Sequence, residues 1–393
     1  MPICFSISTG LSYALVGHGQ KCFLTICFAA ILLTGCKTLK PGNHRDATAP
    51  HAVLNLDPGP DNPRNSEGDF ITLKNGQILF VYSHFTGASG SDFAHAYLAS
   101  RYSKDGGRTW SQTDKVEINA EGMMNVMSVS LLRLQDGQIA LFYVRKNSEE
   151  DCIPMMRISS DEAKSWGPAI PCITDRKGYF VLNNSRVIQL KSGRILLPVA
   201  LHKVPGDAKW SESGKLFCYY SDDNGNTWKA SEEVSNPGHV LTQEPGVVEL
   251  NNDAILMFIR TNAGVQYFSN SKDGGQTWTA IYPSSLASPV SPASIKRIPA
   301  TGDLLVAWNN NDGSDPAIKG KRTPFTVSVS RDNGKTWKHY KTIEDNPKGW
   351  YCYTAIHFIG NEVLLGYCAG DQTTSNGLAR TRITRIGLDW IYQ

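Results

Sequence analysis

The sequence predicts an all-β chain, a six-bladed β-propeller with four-stranded antiparallel blades. A short box, SKDGGRTW at 103–110, carries the first half of that expectation. It recurs in varied form at 159–166, 221–228, 271–278 and 330–337, always with five residues from Asp to Trp. Its aspartates, Asp105, Asp161, Asp223, Asp273 and Asp332, stand about fifty to sixty residues apart, a period of repeat architectures. Six pairs of apolar, β-branched-rich runs alternate with the boxes, each pivoting on Gly, Asn or Asp. FITLKNGQILFVY at 70–82 is typical; the others fall at 129–143, 185–199, 246–259, 294–308 and 354–367. Six hairpins and five boxes at one period imply six repeats of four strands. The sixth box is missing; GLARTRITRI at 377–386 is expected as a third strand there, with HAVLNLD near residue 51 as the closing strand.

The chain begins differently. Lys21 precedes an apolar run that ends in Leu33-Thr34-Gly35-Cys36. The run is short for a membrane span and reads as an export signal. Cys after Leu-Thr-Gly resembles a bacterial lipobox, in which Cys36 is lipidated and becomes the first mature residue. The expectation is a signal with lipobox at 1–36, a flexible tether at 37–50 and a single propeller domain at 51–393. The mature chain is then an exported lipoprotein, periplasmic or on the cell surface of a bacterium, held to the membrane by its lipid alone. The five cysteines beyond the signal, Cys152, Cys172, Cys218, Cys352 and Cys368, contain no CxxC pair, so they suggest neither a zinc nor an iron–sulfur site. Cys152 and Cys172 are near enough in sequence for a local disulfide.

The net charge of +3 is small, and no Lys/Arg run resembles a nucleic-acid stripe, so nucleic acid is not an expected partner. The box itself reads as structural. Gly106 or Gly107 supplies positive φ, the Asp side chain accepts from turn N–H groups, and Trp110 anchors the turn by packing. Catalytic residues seldom come in five equivalent copies, whereas turns do. Chemistry is therefore sought in polar residues outside the hairpin cores. Arg260 falls where the apolar AILMFI run gives way to TNAG. Arginines from different repeats meeting at one mouth would cradle a carboxylate. The loop at 202–217 is expected to project over that mouth. The oxygen-rich run at 309–315 reads as a solvated turn; no metal and no cofactor is called for. Closed blades leave no edge seeking a partner, so a monomer is expected.

The box SxDxGxTW in six repeats resembles the sialidase (neuraminidase) superfamily, the BNR or Asp-box proteins, over about 55–390. That family binds a sugar carboxylate with three arginines and uses a Tyr nucleophile assisted by Glu, with an Asp as acid/base. The resemblance assigns Arg64 in PRNSEGDFITL, Arg260 in EPGVVELNNDAILMFIR and Arg322 in KGKRTPFTVSVSRDNGKTW to the carboxylate. It assigns Glu244 to the base, Asp92 in the loop before the first box to the acid, and Tyr353 in WYCYTAIHF to the nucleophile, with Tyr351 as the alternative. The family's RIP has become RNS here, and Glu67 stands where it can neutralise Arg64. Glu67 itself, Arg186 in NNSR and His95 are further substrate-binding candidates. The resemblance implies an exo-glycosidase removing a terminal acidic sugar from glycans, sialic acid first. A glycosidase or lyase for a uronate-type saccharide, and a non-catalytic carbohydrate-binding propeller, are the alternatives.

Overall fold

The computed structural model describes residues 48–373 and 376–393. The expected signal, Cys36 and nearly all of the tether lie outside the described residues. No helix among those described is long and apolar enough to cross a membrane.

Each predicted hairpin is formed, and its turn chemistry explains why. In the first, Ile78–Phe85 folds back on Asn65–Thr72 about Gly76 at φ +82°, with the Leu73 N–H donating to Gln77 O at 2.8 Å. The sheet continues to Ala96–Ser103 and Lys115–Ile118. The box closes the turn between those last two strands. Asp105 Oδ1 accepts from the Thr109 N–H at 2.9 Å, Oδ2 accepts from Thr109 Oγ1 at 2.7 Å, and Ser103 Oγ accepts from the Gly107 N–H at 2.8 Å. The same hydroxyl-to-carboxylate bond recurs at Asp161, Asp223, Asp273 and Asp332. Gly107 has φ +83°, and a Cβ there would stand 2.7 Å from Leu364 Cδ1 of a facing sheet. Trp110 is buried against Phe70 and Phe80 at centroid distances of 6.1 and 6.4 Å. The structural reading of the boxes is that of the coordinates.

Three further sheets have four strands each. One joins Thr242–Glu249, Ile255–Thr261, Val265–Ser271 and Tyr282–Ala287; another joins Ser294–Arg297, Leu304–Asn309, Phe325–Ser330 and Lys338–Glu344. In the last, Gly349–Ile359 and Glu362–Asp371 form the hairpin, Thr381–Gly387 is the third strand, and His51–Leu56 completes the edge. The boxless stretch therefore supplies its strand as expected, and the N-terminal strand joins it.

The expectation of a six-bladed propeller of separate four-stranded antiparallel blades is corrected. The described residues form five sheets, and each runs open from one edge strand to the other without closing on itself. The second and third hairpins share a nine-stranded sheet. Tyr179–Val181 joins them, pairing antiparallel with Ile195–Lys203 and in parallel with Asp151–Ser159 through Tyr179 and Cys152. The physical reason lies in the third hairpin. Its first run contains Asn183, Asn184, Ser185 and Arg186, and Ser185 takes φ +55°, so the strand breaks and only Ile188–Gln189 remains of its far half. Periodicity counts hairpins; it does not register a break that lets two of them share one ladder. All five cysteines from Cys152 onward are free and buried, so the Cys152–Cys172 disulfide is also corrected.

The sheets bury both faces. Leu79, Val81 and Leu98 pack on Val129, Leu131 and Leu141 of the next hairpin. Phe70 and Phe80 pack on Ala355, Leu364 and Ile383. A second regularity positions the site. The first strand of four hairpins carries a β-bulge, between Ser66 and Asp69, Met127 and Ser130, Gln243 and Gly246, and Cys352 and Ala355. At each bulge a non-glycine residue is left-handed: Glu67 at φ +56°, Ser128 at +63°, Glu244 at +47° and Tyr353 at +57°. Such backbone is uncommon outside glycine and re-aims a side chain out of the pleat.

Candidate active site

Those four bulge residues, Glu67, Ser128, Glu244 and Tyr353, all line one cavity of about 730 Å³. The bulges are tied to one another: the Asn184 amide donates to Gly68 O at 2.8 Å and to Tyr353 O at 3.0 Å. Gly246 fits directly beneath Glu244 because a Cβ there would stand 2.2 Å from Phe258 Cζ.

Tyr353 Oη donates to Glu244 Oε1 at 3.2 Å, and Arg260 Nη1 pairs with the same oxygen at 2.8 Å. Burial pushes the Glu244 carboxyl up, but Arg260 and Arg322 outweigh it and hold the group below its ordinary value. Burial and the Glu244 carboxylate together push the Tyr353 phenol well up. At neutral pH the pair is thus a neutral phenol on an ionised carboxylate, the arrangement in which the carboxylate can take the phenolic proton. Arg322 sits with its guanidinium 5.1 Å from the Trp350 ring centre and 5.3 Å from that of Tyr353. Its Nε and Nη1 are buried and have no hydrogen-bond partner among the described residues, as is true of Arg260 Nε. Arg260 and Arg322 both line the cavity, so an anionic ligand there would meet two guanidinium groups.

Arg64 differs from the expectation. It does not line the cavity, and its donors are taken: Nη2 by Glu67 Oε1 at 2.6 Å, Nη1 by Asp92 Oδ1 at 2.5 Å, and Nε by Ser66 Oγ at 2.8 Å. The neutralising role read for Glu67 is what the geometry has, with Ser128 Oγ donating to the other Glu67 oxygen. Burial raises the Asp92 carboxyl, but the Arg64 cation outweighs it and the net displacement is downward. Asp92 lines the cavity and its side chain is half exposed.

Two candidates are corrected. Arg186 lies outside the cavity wall, buried over the Phe258 ring, donating to Ala293 O at 2.7 Å and Ser294 Oγ at 3.3 Å. It ties its turn to the start of the Ser294–Arg297 strand. His95 is exposed and likewise off the wall, since Ala96 begins the strand and turns inward in its place. Tyr351, the alternative nucleophile, packs in the core against Phe325 and Tyr367. The loop at 202–217 reaches the cavity through Trp210, which stacks on His202 at 5.0 Å. Ser128, Lys146, Trp350 and an aromatic group of Phe93, Tyr179 and Trp210 were not singled out by sequence. Only the Trp210 loop carried a signal.

Among the described residues no cluster of His, Cys, Asp and Glu has the makings of a metal site. In the 309–315 run, the Asn311 amide points its N–H groups at three carbonyls, Ile318, Lys321 and Thr323, organising a turn.

Residues 123–364 match the BNR repeat-like domain, and 101–112 match a BNR/Asp-box repeat. A sialidase of Paraclostridium sordellii is 24% identical over 297 residues, 66% of this chain and 70% of that one. A sialidase of Micromonospora viridifaciens is 29% identical over 147 residues, 35% of this chain but only 21% of that one. A solved protein of unknown function from Dyadobacter fermentans superposes with a TM-score of 0.66 at 20% identity, covering 86% of this chain and 99% of that one. With the family model spanning more than half of it, the chain belongs to the BNR repeat-like domain family, and its fold is similar to that of a solved Hadza microbial sialidase, with a TM-score of 0.67 at 17% identity over 83% of this chain and 66% of that one.

Proposed function

We propose that this protein is an exo-glycosidase that removes a terminal acidic sugar from glycans, with sialic acid the leading substrate. The observation that carries the reading is the Tyr353–Glu244 hydrogen bond of 3.2 Å on the wall of a cavity that Arg260 and Arg322 also line. The names of the Paraclostridium and Micromonospora relatives point the same way.

In this reading Arg322 and Arg260 hold the sugar carboxylate and fix the ring. Glu244 takes the Tyr353 proton as the phenolic oxygen bonds to the anomeric carbon, and the glycosidic C–O bond breaks. Asp92, protonated once the bound anion offsets the Arg64 cation, gives its proton to the departing oxygen, then takes one from the water whose oxygen displaces Tyr353 from the anomeric carbon, while Glu244 returns its proton to the phenolic oxygen. A neutral tyrosine approaches an anionic, crowded centre without the repulsion a carboxylate nucleophile would meet. Arg64 stays with Glu67 and braces the acid's loop.

The test is turnover of aryl glycosides of sialic acid and of uronic acids, with Tyr353→Phe as control. Sialoside cleavage that collapses in Y353F supports the reading. Cleavage of uronides alone replaces the substrate. Glycan binding without any turnover replaces the enzyme with a binding module.

A further inference from the structure

Lys146 is buried on the cavity wall, on the strand Ile139–Ser148. Its ammonium donates to Asp92 O at 2.6 Å and stands 3.6 Å from Met127 Sδ, with the Phe93 and Tyr179 ring centres at 4.8 and 5.4 Å. Directly across the ladder is Asn125, its register partner. The Asn125 amide, also buried, donates to the same Asp92 oxygen at 2.8 Å and to Ala94 O at 2.8 Å. One peptide carbonyl in a strandless loop thus receives two buried donors from a cross-strand pair. Burying an ammonium is unfavourable unless it is engaged, and an apolar side chain would pack there at lower cost. The Asp92 carboxyl is treated differently. It is 55% exposed, and its ion pair with Arg64 Nη1 ties it to one side of its arc. When it leaves, Arg64 retains Glu67 and Gly90 O.

We propose that Lys146 and Asn125 are positioning residues that clamp the Asp92 peptide, so that its carboxyl passes between Arg64 and a glycosidic oxygen by side-chain rotation alone. This rests on the reading of Asp92 as the acid. The proton delivered to the leaving oxygen comes from the Asp92 carboxyl as the C–O bond breaks; Lys146 keeps its own throughout. A clamp of this kind matters only where the leaving group needs that proton.

The experiment compares kcat/KM on two glycosides of the same acidic sugar, one with an activated phenol as leaving group and one with an alkyl alcohol. Asp92→Asn sets the benchmark. Lys146→Met and Asn125→Ala are expected to follow it, losing about 100-fold on the alkyl glycoside, as a misplaced catalytic group does, and only a few-fold on the phenol. Melting temperatures establish that each variant is folded; if K146M is not, N125A decides alone. Equal losses on both substrates, or none on either, overturn the proposal. Wild-type protein that cleaves neither glycoside sinks the glycosidase reading and this one with it, an outcome distinct from a variant that loses both alike.

Discussion

Replacing Arg322 separates binding from folding. The guanidinium is buried with Nε and Nη1 unpaired among the described residues, so in the free protein its lost hydration is offset only in part, by its neighbours Cys352 and Glu244. A substrate carboxylate in the cavity that Arg322 lines would take a bidentate pair of hydrogen bonds from the guanidinium fork. Each charge-assisted bond contributes about 1.5–3 kcal/mol, so the pair amounts to about 3–6 kcal/mol. At about 1.4 kcal/mol per tenfold, Arg322→Met should lower kcat/KM by about 10²–10⁴-fold. Arg322→Lys keeps a charge but not the planar fork, and should lose about 10–10²-fold. Stability should move the other way. What the folded protein loses is stacking on Trp350, on the order of 0.5–1 kcal/mol, and attraction to the buried Glu244 carboxylate; offsetting these, it sheds a buried cation with two unpaired donors. R322M should therefore melt within a few degrees of wild type, or above it. The assay is kcat/KM on an aryl sialoside beside a thermal melt of the same preparation. A variant that melts far below wild type while keeping most of its activity refutes the argument, because Arg322 would then serve the fold.

Two further outcomes follow from the structure and one from the sequence. Asp273→Ala removes the acceptor for Gln276 N–H, Thr277 N–H, Thr277 Oγ1 and Ser271 Oγ, and should cost about 1–3 kcal/mol in denaturant melts with kcat/KM unchanged. Its folded pKa of about 2 lies below the unfolded value, so this contribution is present above about pH 4 and is lost as pH falls toward 2; wild type and D273A should converge there. Asp92 is held low in the free enzyme by Arg64, and a bound anion offsets that cationic field, so the alkaline limb of kcat should lie at higher pH than that of kcat/KM; coincident limbs would contradict the acid assignment. From sequence alone we propose a lipoprotein anchored through Cys36, and Cys36→Ser should release it from the membrane fraction of a bacterial host; membrane retention would end that proposal.

The sequence made local features legible and long-range ones poorly so. Hairpins and boxes depend on residues within about a dozen positions, and each was found. Glu244, Arg260, Arg322 and Tyr353 were reached through the family resemblance, whose motifs fall at the ends of those hairpins, and all four line one cavity. Ser128 and Lys146 are ordinary strand residues, and Asn184 an ordinary turn residue, until a bulge or a cross-strand neighbour gives them a task. Arg186 misled for the converse reason: a polar residue in a strand suggests a site, but the bend at Ser185 seats it behind Glu244. Arg64 was correctly paired with Glu67 yet wrongly placed on the cavity wall. The shared nine-stranded sheet rests on Tyr179 meeting Cys152, a pairing no periodicity encodes.

The left-handed residues at the four bulges have a consequence for how such a protein changes. Each holds its side chain at a point where the ladder has already stepped aside, with regular pairing resuming on both flanks. These positions work as interchangeable sockets. A new side chain in one alters the chemistry of the cavity without re-registering a strand. Ser128 is the socket that neither the nucleophile, its base nor the arginine brace occupies. Asparagine tolerates left-handed backbone well, so Ser128→Asn is where a change of sugar preference should be sought first, with the architecture left alone.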